Sequence, residues 1–386
     1  MGRFRASLGQ PGLSTVAEVK RRSPSAGDLR PDADPAALAA SYERTGAAAV
    51  SILVDARFGG TWDDLRAARR TTAIPLLAKG FFSTEEHLRT ARESGADAVL
   101  LLLRDLDDAA VHRLMQAADM LGLDTLVEAH DAEELGRAVA LNAPVIGINA
   151  RDLATFRIDR NQQLELVARA PRDRVVVAES GIESRAQGAH AELAGAAAIL
   201  VGSALMRAPD PARKLAELTS RPLVKVCGLT SEEDVAVAAV AGADLAGFVL
   251  ADESPRRASG VLEVPETMLS VAVVVGEALD EHDADLVQLY PREPGKVRGR
   301  DGVLLREEEE VARVIDLPWE EDDPKHLDRA RAAAGRIMLA GGLGPENVRE
   351  AIEAVRPWAV DASSRLELSP GVKDHARVRA YVKAAR

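Results

Sequence analysis

The chain has 386 residues, of which 47% are hydrophobic, 28% charged and only 3% aromatic. That length exceeds one ordinary core and predicts two or three folded domains, and the composition excludes a disordered chain. A formal net charge of −12 argues against sequence-independent nucleic-acid binding, and no apolar run reaches membrane-spanning length. The lone cysteine, Cys227, excludes an intrachain disulfide, and the amino terminus MGRFRASLGQPG lacks the apolar core of a secretory signal. A cytoplasmic protein is expected.

With so few aromatics the core must rest on Ala, Val, Leu and Ile, a composition suited to parallel sheets wrapped in Ala-rich helices. In chain order, short apolar strands alternate with helical patterns: TVAEVK (15–20), AVSILVD (49–55), PLLAKG (75–80), AVLLLLRD (98–105), DTLVEAH (124–130), VIGINA (145–150), VVVAESG (175–181) and AAILVGS (197–203). Between them, Asp107 and Asp108 are placed to cap a helix carrying Val111, Leu114 and Leu121. Eight such units in roughly 220 residues predict a (β/α)8 TIM barrel over residues 1–220.

A second series begins at RPLVKVCGL: VKVCG (224–228), LAGFVL (245–250), VAVVVG (271–276), LVQLY (286–290), GVLL (302–305), RVIDLP (313–318), RIMLAGG (336–342) and AVDASS (359–364). PREPGKVRGRD, between the fourth and fifth of these, leaves little room for a helix. The expectation is an α/β chain of two tandem TIM barrels, the second (221–386) compressed, with shortened or missing helices. A doubly wound open sheet is the alternative.

Barrel enzymes carry their chemistry at the carboxyl ends of their strands. In the first series those ends hold Glu18 and Lys20, Lys79, Glu128, Asn149 with Arg151, Glu179 and Ser180. Residues two apart on a strand share a face, so Glu18 projects with Lys20, and Asn149 with Arg151. Taken alone, Glu18 and Lys20 also fit an exposed edge strand with a surface ion pair. Lysines, carboxylates and an arginine around one mouth would make an acid–base site with an anion subsite. Ser180-Gly181 and Gly202-Ser203 follow the seventh and eighth strands, where backbone N–H groups commonly hold phosphate.

AEVKRRSPSAG, SILVDARFGGTWDDL, PLLAKGF, LVEAHDAEEL, IGINARDLATF, VAESGI and LVGSALM, in this order, resemble indole-3-glycerol-phosphate synthases over residues 4–218. The resemblance implies cyclisation of 1-(2-carboxyphenylamino)-1-deoxyribulose 5-phosphate with loss of CO2 and water. It implies Lys79 as general acid, Glu128 as general base and Lys20 as the grip on the anthranilate carboxylate. Glu18, Asn149 and Arg151 would orient the substrate, with Glu179 also at the site. Ser23, Ser180, Gly181, Gly202 and Ser203 match phosphate-binding positions, and Phe58 and Phe81 would pack on the aromatic ring. Two departures stand out. Gly80 replaces the family's usual aspartate after the lysine, and only FRASLGQPGLS precedes the first strand, where relatives carry a longer extension that helps cover the site.

KVCGLTSEEDV, FVLADESPRRAS, LAGGLGPENV, VDASS and SPGVKD resemble phosphoribosylanthranilate isomerases over 222–386. The resemblance implies an Amadori rearrangement with Cys227 as general base and Asp316 as general acid. Arg256 would grip the anthranilate carboxylate, and Asp361 would be a further site residue. Here the departures are larger: LPWEEDDPKH stands where a Gly-rich phosphate loop is expected, Arg365 replaces a glycine in SSR, and LVQLY ends at Tyr290 instead of histidine. Two main readings follow, a bifunctional enzyme of tryptophan biosynthesis or a working synthase fused to a non-catalytic packing or interaction module, with a related phosphosugar barrel of changed substrate choice as a remoter third. Both take small phosphorylated anthranilate–sugar substrates, without cofactor, metal, nucleic acid or membrane.

Overall fold

A computed structural model describes residues 2–24, 26–152, 155–276, 283–296, 298–317 and 321–386. The chain divides into two compact units, Met1–Glu183 with Gly188–Thr219 and Ser184–Gln187 with Ser220–Arg386.

The first unit is a closed barrel of parallel strands: β1 (Ser14–Val19), β2 (Ala49–Leu53), β3 (Leu76–Lys79), β4 (Ala98–Leu102), β5 (Asp124–Ala129), β6 (Val145–Asn149), β7 (Val175–Glu179) and β8 (Ala198–Val201). Because the ring closes, β1 has two neighbours and no exposed edge, which removes the edge-strand reading of Glu18 and Lys20. Helices on the outside begin at side-chain caps that satisfy their first N–H groups. Asp107 does this for Asp108–Met120, accepting from Ala110 N at 2.7 Å, and Thr61 and Asp64 form a reciprocal capping box.

Strand parity places the chemistry. Val16, Leu77, Leu126, Val145 and Val177 are buried together inside the barrel. Two residues further along the same strands come Glu18, Lys79, Glu128, Gly147 and Glu179, and Asn149 lies two beyond Gly147. An apolar floor and a polar mouth therefore follow from one alternation. The amino-terminal helix Arg3–Leu8 closes the opposite end: Phe4 and Leu8 join that floor, Arg3 pairs with Asp97, and Arg5 N donates to Asp124. Asp97 and Asp124 lie where strands begin, so FRASLGQPGLS seals the base and does not cover the site.

The second unit is a closed barrel of β9 (Leu223–Cys227), β10 (Leu245–Val249), β11 (Leu269–Val275), β12 (Leu286–Tyr290), β13 (Gly302–Arg306), β14 (Glu309–Ile315), β15 (Ile337–Leu339) and β16 (Ala359–Ala362). It is compressed as expected. Its longer helices among the described residues are Glu232–Ala241, His326–Ala332, Val348–Val355 and His375–Ala385. One feature departs from an all-parallel plan: β13 runs antiparallel to both neighbours. Two residues separate β13 from β14, enough for a hairpin but far too few for a parallel crossover. The reversal leaves 291–296 and 298–301 on the face where the parallel strands end, because the chain leaves β12 and enters β13 at the same end.

Candidate active sites

Lys79 is the hub of the first mouth. Its Nζ lies 2.7 Å from Glu179 Oε2, 3.4 Å from Glu18 Oε2 and 3.9 Å from Glu128 Oε2. Lys20 bonds the other Glu18 oxygen at 2.8 Å. Asn149 Nδ2 donates to Glu128 Oε1 at 3.0 Å, and His130 Nε2 lies 3.1 Å from the same oxygen. The remaining His130 nitrogen meets Glu134 at 3.0 Å. Three buried carboxylates thus face three cations, the balance such a site needs to keep charge out of bulk water. Two glycines make room: a Cβ at Gly147 would collide with Glu179, and one at Gly202 with Glu18.

This charge pattern separates the carboxyls. Burial works against ionising Glu18, but the ammonium groups of Lys20 and Lys79 outweigh it and hold the pKa low. Glu128 is held low in the same way, against burial, by His130, Lys79 and Asn149. Glu179 goes the other way: burial, with Glu128 beside it, pushes its carboxyl up to about 8. Lys79 is raised despite burial because three carboxylates surround it.

Above the cluster opens a cavity of about 230 Å³ lined by Glu18, Lys20, Lys79, Arg151, the Ser180-Gly181 and Gly202-Ser203 turns, and Arg207. Ser180 and Gly181 both have positive φ, which turns the backbone sharply at the end of β7. Arg151 is pushed below its usual pKa by burial and by the nearby Arg207 guanidinium, so two cations crowd one side of the cavity. That is anion-binding character. Ser23 lies in the small hairpin Arg22–Ser23/Gly27–Asp28 and is not among the cavity-lining residues. Phe58 and Phe81 stack on each other at 6.3 Å, with Arg57 over Phe81, and also stand outside that lining. A Cβ at Gly80 would come within 3.2 Å of the Phe82 ring, which stacks on Trp62, so a larger residue there would press the ring aside by a few tenths of an ångström.

In the second mouth, buried Lys225 pairs with Asp361 at 2.8 Å, beside Cys227 on β9. Gln288 Nε2 donates to Tyr290 Oη at 2.7 Å and reaches Asp361 at 3.4 Å. Tyr290 Oη in turn donates to Asp316 Oδ2 at 2.6 Å. A continuous buried network therefore joins the Cys227 side of the mouth to Asp316. Burial raises the Cys227 thiol and the Asp316 carboxyl. A Cβ at Gly247 would stand 2.8 Å from Cys227 Sγ, so the neighbouring strand is glycine-shaped at the thiol. Arg256 is turned to Glu367 at 3.0 Å, a carboxylate that also holds the buried Lys373 at 2.7 Å. Part of LPWEEDDPKH, residues 318–320, lies outside the described residues.

A family model for indole-3-glycerol phosphate synthase matches residues 3–218, and one for N-(5'-phosphoribosyl)anthranilate isomerase matches 323–384. The tryptophan biosynthesis protein TrpCF of Yersinia pestis is 32% identical over 96% of this chain and 84% of its own length. The chain belongs to the fused synthase–isomerase family. An indole-3-glycerol phosphate synthase of Nocardioides sp. is 47% identical over 57% of this chain and 83% of its own. The multifunctional tryptophan biosynthesis protein of Schizosaccharomyces pombe is 31% identical over 99% of this chain, which spans 61% of that longer relative.

Within the synthase barrel, sequence reasoning missed His130, Glu134 and Arg207. The signals were present. His130 lies two residues beyond Glu128 in the turn just after β5, Glu134 is the residue four further on in the following helix, and Arg207 lies four beyond Ser203 on one helix face. In the isomerase barrel the missed residues are Lys225, Gln288, Lys373 and Arg298, whose Nη2 lies 2.6 Å from Asp316 Oδ2.

Proposed function

We propose that the chain catalyses two consecutive steps of tryptophan biosynthesis, residues 221–386 acting as isomerase and 1–220 as synthase. The observation that carries this reading is Lys79, held among Glu179, Glu18 and Glu128 beneath a cavity whose far side is crowded by cations. No structural demand on a barrel calls for that many charges on one inner face.

In the isomerase step, Asp316 protonates the ribose ring oxygen of N-(5-phosphoribosyl)anthranilate as the ring opens. Cys227 then takes the proton from C2 to give the enolamine, which gains a proton at C1 and loses the C2 hydroxyl proton to become 1-(2-carboxyphenylamino)-1-deoxyribulose 5-phosphate. Burial raises the thiol, and the Lys225 ammonium beside it works against that rise. A free thiol suits a reducing, cytoplasmic setting. The glycine-shaped pocket around Cys227 and the network reaching Asp316 support catalysis over a packing module.

In the synthase step, Lys20 and Arg151 hold substrate anions, the phosphate lying towards the Ser180-Gly181 and Gly202-Ser203 turns. The aromatic ring carbon attacks the C2 carbonyl and Lys79 protonates the developing alkoxide. Glu179, 2.7 Å away and proton-rich near neutral pH, restores that proton. Loss of CO2 follows; in the dehydration the reprotonated Lys79 gives a proton to the C2 hydroxyl, which departs as water, while Glu128, kept ionised, accepts the proton removed from the ring system. Each acid–base contribution is worth about 10²–10⁴ in rate. The test is a pair of steady-state assays on the full chain: fluorescence loss as phosphoribosylanthranilate is isomerised, and indole absorbance as the ketose phosphate is cyclised. Turnover of both supports the reading; absence of indole-glycerol-phosphate formation contradicts it.

A further inference from the structure

The inner face of the first mouth carries charged side chains on alternate strands: Glu18 on β1, Lys79 on β3, Glu128 on β5 and Glu179 on β7. Glu128 and Glu179 stand on either side of β6, and the β6 residue in register with Glu128 is Gly147. No side chain there separates the two carboxyls. Glu179 leans into the gap, and its Oε1 fills the space that a Cβ at Gly147 would need. The two carboxyls meet within hydrogen-bonding reach.

Each carboxyl has one oxygen engaged elsewhere. Asn149 and His130 lie 3.0 and 3.1 Å from Glu128 Oε1, and Lys79 donates to Glu179 Oε2 at 2.7 Å. The other two oxygens, Glu128 Oε2 and Glu179 Oε1, are buried and receive no hydrogen bond among the described residues. Two ionised carboxylates in such contact repel each other strongly, because little water screens them. A single proton between them removes the repulsion and gives both oxygens a partner, since a carboxyl O–H donates and a carboxylate accepts. The surroundings decide where it rests. His130, backed by Glu134, holds Glu128 ionised, while burial and the Glu128 charge keep Glu179 protonated up to about pH 8. The other charges facing the pair are Lys79, Glu18 and, through Glu18, Lys20.

We propose that Glu128 and Glu179 hold one proton between them over Gly147, and that through this contact the proton Glu128 takes from the substrate returns to serve Lys79. The proposal rests on the synthase reading and deepens it. At rest the proton sits on Glu179, Glu128 is a carboxylate and Lys79 an ammonium. Lys79 protonates the developing alkoxide, and Glu179 gives its proton to the resulting amine. The restored ammonium then protonates the departing hydroxyl while Glu128 takes a proton from the ring system. Glu128 passes that proton across the gap to the Glu179 carboxylate, which returns both groups to their resting forms. One further proton enters from water to recharge Lys79, and it matches the carboxylate charge that leaves as neutral CO2. Glu179 acts on the substrate only through Lys79.

The experiment follows the infrared band of protonated carboxyls against pH in the full wild-type chain, Glu179→Gln and Glu128→Gln, each checked for unchanged thermal unfolding. The difference between wild type and Glu179→Gln should contain one such band that titrates away near pH 8. In Glu128→Gln the band should titrate about one pH unit or more lower, because the neighbouring negative charge is gone. A Glu128→Gln chain that does not fold is replaced by Glu128→Asp, whose shorter side chain draws the charge back and should move the midpoint the same way. Synthase kcat should fall above about pH 8 in wild type. Glu179→Gln should lose that limb and lower kcat about tenfold or more, with little change in KM. No band separating wild type from Glu179→Gln, or an unmoved midpoint when Glu128 is replaced, would overturn the proposal. A wild-type chain without synthase turnover would fail the synthase reading itself, and the infrared titration would still decide whether the two carboxyls share a proton.

Discussion

In the first barrel the lysine proposed as acid sits among three carboxylates beneath an open cavity. In the second, the carboxylate proposed as acid is covered by an arginine from a neighbouring segment. Both mouths rest on the same strand parity. What separates them is the path of the chain between strands. Parallel crossovers carry each connection of the first barrel out over a helix, so its mouth is built from strand ends and the turns after them. A single antiparallel strand in the second barrel replaces two crossovers with a mouth-side segment and a tight hairpin. Shortening the fold this way moves a cation into the site, so economy in the scaffold changes the chemistry available at its mouth.

Substitutions can break this comparison, and the largest effect is expected at Lys79. Lys79→Met should lower synthase kcat by about 10³-fold while the ketose phosphate still binds, because Lys20, Arg151 and the two turns remain. A fall in affinity alone, with kcat kept, would make Lys79 a binding residue. Gly247→Ala should act on the other barrel. Its new methyl would press on Cys227 Sγ and on Lys225, displacing the thiol and costing isomerase turnover roughly 10- to 100-fold, with synthase kinetics unchanged.

The smallest effect concerns His130. Burial lowers its pKa, but Glu128 and Glu134 outweigh burial and bring it up to about 10, against roughly 6.5 in an unfolded chain. A folded pKa above the unfolded one gives stability that is complete below about 6.5 and lost as pH rises through about 10. The wild-type unfolding midpoint should therefore fall more steeply between pH 7 and 10 than that of His130→Asn, by at least a few degrees. Parallel curves for the two proteins would show that His130 is not held as an imidazolium.

Much of the first site was legible because strand parity is a local rule. Glu18 with Lys20, and Asn149 with Arg151, could be placed on common faces from spacing alone. Asp107 announced its helix for a similar reason: a cap is read from the residues beside it. His130 escaped because an imidazole between two carboxylates is created by the turn from β5 into the following helix, which spacing did not weigh. The reversal of β13 was illegible for a different cause. GVLL reads the same in either direction, and its hairpin turns at Glu307 and Glu308 without the Asn-Gly or Asp-Gly signal that usually marks one. With strand direction unknown, nothing in PREPGKVRGRD could say that Arg298 lies on Asp316. Phe58 and Phe81 were expected to meet a substrate ring, and their stacking on each other is a tertiary contact that no local pattern encodes.

The central claim is that one chain holds two independent acid–base sites, one centred on Lys79 and the other on Cys227 and Asp316. Its most direct test assays both reactions on the full-length Lys79→Met and Cys227→Ala chains. The account predicts that Lys79→Met loses indole-glycerol-phosphate formation and keeps isomerisation, while Cys227→Ala does the reverse. Loss of both reactions in a chain that remains folded, or unaltered isomerisation in Cys227→Ala, would contradict it.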